Sequence, residues 1–310
     1  MEKRDPSNQQ SEPGVNQSAQ DRSPYLESIA PNSERLDKDW KINKARVSIS
    51  GKGSTGNSSL AESLAEKYHL PRTRIFHVGD KMRKGYTGIA PFVLSIDEHR
   101  MTDYGTMLNV LAAPHIDPEP AIFDAKLGGV MIHYLRRLAE DHDLPRLIKE
   151  MDQQHAFNYY PDYAFLRDLK DGKIILPDVF TLVNWATQVK RLEIAMSKDS
   201  TANLTESQIR RTSSRRDRTN LEEWIEAHPW MRDWHNVLER DATDENGRLI
   251  YDRIINSSRR TAEEVTQETH GIFVQEGVVV ERGRIKPPTL LLPNTPAYLD
   301  SGDGNFNTAN

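Results

Sequence analysis

From about residue 45 the chain alternates apolar runs of strand length with segments whose apolar residues recur three and four positions apart. That texture is the one expected of a parallel sheet covered by helices. Ala45 to Ser50 predicts a short buried first strand. Behind it, Leu60, Leu64 and Ala65 share one helical face, Glu62 and Glu66 point away from it, and the helix stops at His69-Leu70 ahead of Pro71. Thr73 to Val78 predicts a second strand, Ile96 to Ala113 a helix, Ala121 to Phe123 a third strand and Asp178 to Asn184 a fourth. Residues 136–176 read as two or three additional helices. Trp185 to Met196 predicts another helix, Ser207 to Trp224 carries a cluster of arginines, and Tyr251 to Asn256 predicts the last core strand. A closing helix over Thr261 to Glu268 begins with Thr261 as N-cap and Glu264 as its capping-box partner. Ile272 to Lys286 alternates enough to predict a hairpin, and no internal repeat is visible.

The ends differ from this. Residues 1–43 are rich in Ser, Asn, Gln, Pro and charge, with too few branched apolar residues to offset the entropy of ordering, and predict a disordered tail. The alternative is an arm anchored on the domain by Tyr25, Leu26 and Ile29. A domain over 44–270 is expected, with a helical insertion at about 136–176 and a lid at about 197–245, followed by an extension over 271–310 that is disordered from Asp300 on.

Composition narrows the function. A formal charge of -5 and pI near 6.1 show no global basic bias, so a small anionic ligand is favoured over nucleic acid. There are no cysteines, which excludes disulfides and thiolate metal sites, and the histidines show no metal-ligand spacing. No apolar leader and no window of membrane-spanning length occur, so the expectation is a cytoplasmic protein with no membrane partner.

The chemistry concentrates behind the first strand. Gly51, Lys52, Gly53, Ser54, Thr55, Gly56, Asn57, Ser58 and Ser59 form a glycine-rich turn between a strand and a helix. That context suits phosphates, which would be cradled by backbone N–H groups and the helix N-terminus. The phosphate-loop template G-x-x-x-x-G-K-[ST] is met by Gly51, Gly56 and Ser58, whose hydroxyl would serve Mg²⁺, but Asn57 stands where the lysine belongs. Lys52, a long cation inside the same turn, is the candidate replacement. A purely structural strand-to-helix turn is the alternative.

Further along, Gly79-Asp80-Lys81-Met82-Arg83 and Asp124-Ala125-Lys126-Leu127-Gly128-Gly129 follow strands and reach the same sheet edge, where open α/β sheets bind ligands. Arg210, Arg211, Arg215, Arg216 and Arg218 supply a cationic run that also suits a solvated helix face. AEKYHLP at 65–71, the two segments just given, the triplet Arg216-Asp217-Arg218 and the run from Tyr251 to Val265 occur in an order that resembles the cytidylate kinase family of nucleoside monophosphate kinases, in particular its short archaeal type. The likeness covers Ala45 to about Glu268.

The resemblance implies a P-loop NTPase fold, a three-layer α/β parallel sheet with helices on both faces. It implies transfer of the γ-phosphate of ATP, with Mg²⁺, to a nucleoside monophosphate, CMP or dCMP first; a monomer is the separate expectation. It places Asp80 and Arg83 at the acceptor, with Arg83 on its phosphate, and Asp124 in the acceptor pocket at the centre of the site. Lys126, Arg216 and Arg218 would be catalytic, and Asp217 would read a pyrimidine or ribose edge. Lys126 replaces the family's arginine, exchanging a bidentate fork for a point charge. Ser213 and Asn220 stand where flanking lid arginines are expected, with Arg211 and Arg215 nearby. Phosphoryl transfer needs mainly positioning and electrostatic stabilisation, which converging cations supply. The rival expectation is a nucleotide-binding protein of the same fold in which Asn57 and these replacements have impaired transfer, leaving a regulatory or scaffolding role.

Overall fold

The structure, a computed structural model, describes residues 40–78, 96–113, 118–159, 163–198 and 203–282. Its elements are β1 (Trp40–Ile42), β2 (Arg46–Ser50), α1 (Asn57–Lys67), β3 (Ile75–His77), α2 (Ile96–Ala112), β4 (Ala121–Asp124), α3 (Gly128–Glu140), α4 (Leu144–Gln153), α5 (Tyr163–Lys170), β5 (Val179–Trp185), α6 (Gln188–Met196), α7 (Glu206–Ala227), β6 (Arg253–Asn256), α8 (Ala262–Gln275) and β7 (Val279–Glu281). Five strands form one parallel sheet in the order β3-β4-β2-β5-β6. The strand that precedes the glycine turn is therefore central, and the order reverses around it. The carboxyl edge at such a reversal is where crossover connections part and leave a crevice.

Two apolar cores lie on opposite faces of the sheet. On one, Val47, Ile49, Ile122, Leu182 and Ile255 pack with Leu60 and Leu64 of α1 and Phe273 of α8. On the other, α2, α3, α4 and α5 contribute Leu108, Leu111, Leu135, Leu147 and Phe165. All five residues of β2 are buried, as expected of a central strand covered on both faces. Its serines meet the start of α3 at close range: Ser50 Oγ accepts from Gly129 N at 2.9 Å, and a Cβ on Gly128 would collide with Ser48 Oγ. Glycines at 128 and 129 thus let a helix lie directly on the strand. Among the described residues no helix is long and apolar enough to cross a membrane.

Four expectations are corrected. The alternating tail from Ile272 is not a hairpin: α8 continues to Gln275, and Val279–Glu281 pairs antiparallel with Trp40–Ile42. The ordered unit therefore begins before residue 44 and extends past 270, because Trp40, Ile42 and Val279 complete the core beside α8. The helices assigned to an insertion at 136–176 begin at Gly128, and the first of them, α3, is a layer of the core. In the span 197–245 expected to form a lid, Met231, Trp234, Val237, Leu238 and Ala242, all beyond the end of α7, are buried in the main core. The remainder of residues 1–43, and the stretch 283–310, lie outside the described residues.

Candidate phosphate-binding site

The turn after β2 has the backbone that the glycine pattern implied. Gly51 adopts φ 151°, and a Cβ there would approach the carbonyl oxygen of Asn184 to 2.5 Å, so a side chain is excluded by both backbone and space. Gly56 adopts φ 89° in the left-handed region as the N-cap of α1. That cap makes no side-chain hydrogen bond, and the first turn of α1 carries no acidic residue. The helix start consequently keeps its N–H groups and positive end open toward an anion. In contrast, α6, α7 and α8 are capped by the side chains of Thr187, Thr205 and Thr261.

The turn is braced from below by the ends of the neighbouring strands. Asn184 Nδ2 donates to the Thr55 carbonyl at 2.8 Å, and Ser257 Oγ reaches the same oxygen at 3.5 Å. The Thr55 hydroxyl lies 2.8 Å from Asn57 Oδ1 and 2.9 Å from the Lys52 carbonyl oxygen. Asn57 is buried, so the residue that replaces the usual lysine serves as an internal brace of the turn.

On one flank is an oxygen-rich group. Ser58 Oγ donates to Asp124 Oδ2 at 2.5 Å, and His77 Nδ1 lies 2.9 Å from the same oxygen. Glu62 is 3.7 Å from the other ring nitrogen of His77. Parallel pairing of β2 with β4 brings Asp124 beside Ile49, one residue before Ser50, which explains how residues 66 positions apart meet. Among the described residues no group of three His, Cys, Asp or Glu stands ready to hold a metal by itself. A serine hydroxyl with one carboxylate does fit Mg²⁺, which takes few protein oxygens and completes its shell with water and substrate phosphates.

On the opposite flank are cations. Arg191 of α6 donates from Nε to the Gly53 carbonyl at 2.8 Å and pairs through Nη2 with Asp217 of α7. The guanidinium of Arg216 covers Gly53 closely enough that a side chain at 53 would displace it. Lys52 pairs with Glu239. Lys126 Nζ is 5.7 Å from the ring centre of Trp224 and donates to the amide oxygen of Asn220 at 2.7 Å, with that amide turned to satisfy both neighbours.

The expected residues are thus only partly brought together. Gly51 through Ser59, Asp124, Arg216 and Asp217 gather around one turn. Lys126 is drawn to the α7 residues Asn220 and Trp224, and Arg218 is exposed on that helix. Asp80 and Arg83 lie outside the described residues. Arg191, His77 and Glu239 were not expected. Arg191 had a legible signal, because it falls in the helix that follows the fourth strand at the ligand edge. His77 lay inside the strand expected over Thr73 to Val78, and nothing in the sequence marked Glu239.

No protein-family model matches this chain, and no curated protein matches it. Among solved structures, an uncharacterized protein from Eubacterium ventriosum is similar at TM-score 0.40 and 8% identity, covering 74% of this chain and 98% of that one. Thymidylate kinase from Candida albicans is similar at TM-score 0.38 and 14% identity, over 77% and 96%. Deoxyadenosine kinase from M. mycoides is similar at 0.31 and 9%, over 74% and 99%. At scores this low the site is read from its own geometry.

Proposed function

We propose that the protein is a P-loop kinase that moves the γ-phosphate of ATP to a nucleoside monophosphate, with CMP or dCMP as the first acceptors to assay. The observation that carries this reading is the Ser58 hydroxyl set 2.5 Å from the Asp124 carboxylate at an uncapped glycine turn. Arg191 and Arg216 reach the same turn from its other side. In this reading the backbone N–H groups of the turn hold the donor phosphates, and Ser58 with Asp124 holds Mg²⁺. The ion, when bound with the nucleotide, would neutralise charge on the β- and γ-oxygens. As an acceptor phosphate oxygen bonds to the γ-phosphorus, the bond from the γ-phosphorus to the β,γ-bridging oxygen breaks and ADP departs with that oxygen. Arg191 and Arg216 would stabilise the charge on the transferring group. Asp217 would act on Arg191, fixing its planar fork. Asp80 and Arg83 are proposed for the acceptor, and Lys126 and Arg218 as further catalytic cations, on the strength of the resemblance.

The second reading, nucleotide binding without transfer, is favoured by two observations: Asn57 is engaged inside the turn, and Lys52 is engaged by Glu239. Both readings predict binding, and only the first predicts ADP. Incubating the full chain with Mg-ATP and each nucleoside monophosphate, and following ADP, decides between them. Turnover with one acceptor is expected, and Arg83→Ala should lower it by more than about tenfold. No ADP with any acceptor, at protein concentrations comparable to substrate, would overturn the kinase reading.

A further inference from the structure

The side chain of Glu239 divides its two oxygens between two partners at the phosphate turn. Oε1 pairs with Lys52, and Oε2 accepts from Trp185 Nε1 at 2.6 Å. Trp185 ends β5 next to Asn184, which braces the turn. The guanidinium of Arg240 lies 5.5 Å from the Trp185 ring centre and steadies the indole from its face. Glu239 itself sits on a fixed segment. Val237 and Leu238 before it are buried, the Val237 carbonyl accepts from the buried Tyr251 hydroxyl at 2.6 Å, and Glu239 N donates to Asn236 O at 2.7 Å. Both charged side chains are less than a third exposed, at 30% for Lys52 and 28% for Glu239. A carboxylate held on both oxygens and anchored from behind differs from a surface pair, whose partners are mobile and whose contribution is small.

We propose that Glu239 is the positioning residue for Lys52, the single lysine of the turn: it holds that ammonium at the rim of the cradle and competes for it with the polyphosphate of a bound nucleotide. This deepens the nucleotide reading above and rests on it. Asn57 occupies the place from which the usual lysine would act and is neutral, so cationic help from within the turn comes from Lys52. Lys52 has four rotatable carbons, enough to exchange one anionic partner for another without moving the backbone. Glu239 therefore lowers affinity by the cost of that exchange, while keeping the lysine close to where it is used.

The test is calorimetric binding of Mg-ATP, without acceptor, to four full-length proteins: wild type, Glu239→Gln, Lys52→Gln and the double variant. Glu239→Gln keeps the volume and the indole acceptor but removes the charge. It should tighten binding about threefold to fivefold, and Lys52→Gln should weaken it by at least that factor. In the Lys52→Gln background the Glu239→Gln change should lose its effect. Quenching of tryptophan fluorescence by Mg-ATP in wild type, absent in Trp185→Phe, would report the same exchange at the indole. Equal tightening by Glu239→Gln in both backgrounds would show a simple repulsive charge and overturn the positioning role. Wild-type binding that does not respond to Glu239→Gln or to Lys52→Gln overturns it as well. No Mg-ATP binding by any of the four proteins would overturn the nucleotide reading and this inference together.

Discussion

Helices α7 and α8 begin alike and end up with opposite duties. Each starts at a threonine whose side chain caps the helix, with a glutamine or glutamate three residues on returning the bond to the cap N–H. From there α8 buries Val265, Thr269, His270 and Phe273 within 14 residues. Over 22 residues, α7 buries only Ile209, Trp224 and Ala227. Local start signals say that a helix begins, and the distribution of apolar residues along it says whether it is a wall of the core. In α7 the long stretch between Ile209 and Trp224 is given to Arg210, Arg211, Arg215, Arg216 and Arg218, and Arg216 is the one that covers Gly53 of the glycine turn.

The contrast can be broken in four ways, from the largest effect to the smallest. Phe273 is completely buried and stacks near Tyr68 while meeting Phe180 edge-on. Phe273→Ala should cost about 4 kcal/mol in urea unfolding, whereas Leu221→Ala on the exposed side of α7 should be close to neutral. If both variants cost the same, α7 carries structure that its burial does not show.

Acid should attack the α8 side next. Burial, and secondarily the charge of Lys67, pushes the ionisation of His270 down from 6.5 to about 4. The neutral ring faces Tyr68, whose hydroxyl is 3.0 Å from Nδ1 and is held protonated by burial. A depressed folded-state value means that the unfolded chain takes the proton first as pH falls. The stabilisation from neutral His270 is therefore whole above pH 6.5 and declines toward pH 4. Between those limits the wild type should lose about 2 kcal/mol more than His270→Gln. Parallel curves for the two proteins would refute the linkage. Burial also lowers His133 on the opposite face, against the pull of Asp244, and adds in the same direction.

On the α7 side the effects should appear in function instead. Arg216→Ala and Arg191→Ala should each lower the proposed phosphoryl transfer by more than about tenfold, with melting temperatures close to wild type. A large fall in melting temperature with unchanged turnover would make these arginines structural. The smallest effect is at the caps. Thr261→Ala should cost about 1 kcal/mol of global stability, while Thr205→Ala should mainly raise amide exchange in the first turns of α7. Equal global losses would mean that α7 unfolds only with the core.

Much of the fold could be read from periodicity because the central elements obey one pattern each. The strand expected over Ala45 to Ser50 is found at Arg46–Ser50, and the α1 face of Leu60, Leu64 and Ala65 and the Thr261 box appear as expected. The Ile272 tail misled because β-like alternation and a helix end share residues. Continuation of α8 was decided by Phe273 entering the core, and β7 by a partner more than 230 residues away at Trp40–Ile42.

The site divides along the same line. The sequence by itself determined the glycine turn, since the positive φ at Gly51 and Gly56 and the close approach at Gly51 admit no side chain, and it determined Ser58 and the chain-order motifs around it. Only the tertiary structure decided which charges meet there. Parallel pairing set Asp124 beside Ser58 and His77 beside Asp124, and helix packing brought Arg191 and Arg216 to Gly53. A buried segment set Glu239 against Lys52, 187 residues apart. Backbone geometry is a local property, so its demands are written in consecutive residues. Charge pairing depends on distance in space, which a linear chain does not carry until it is folded.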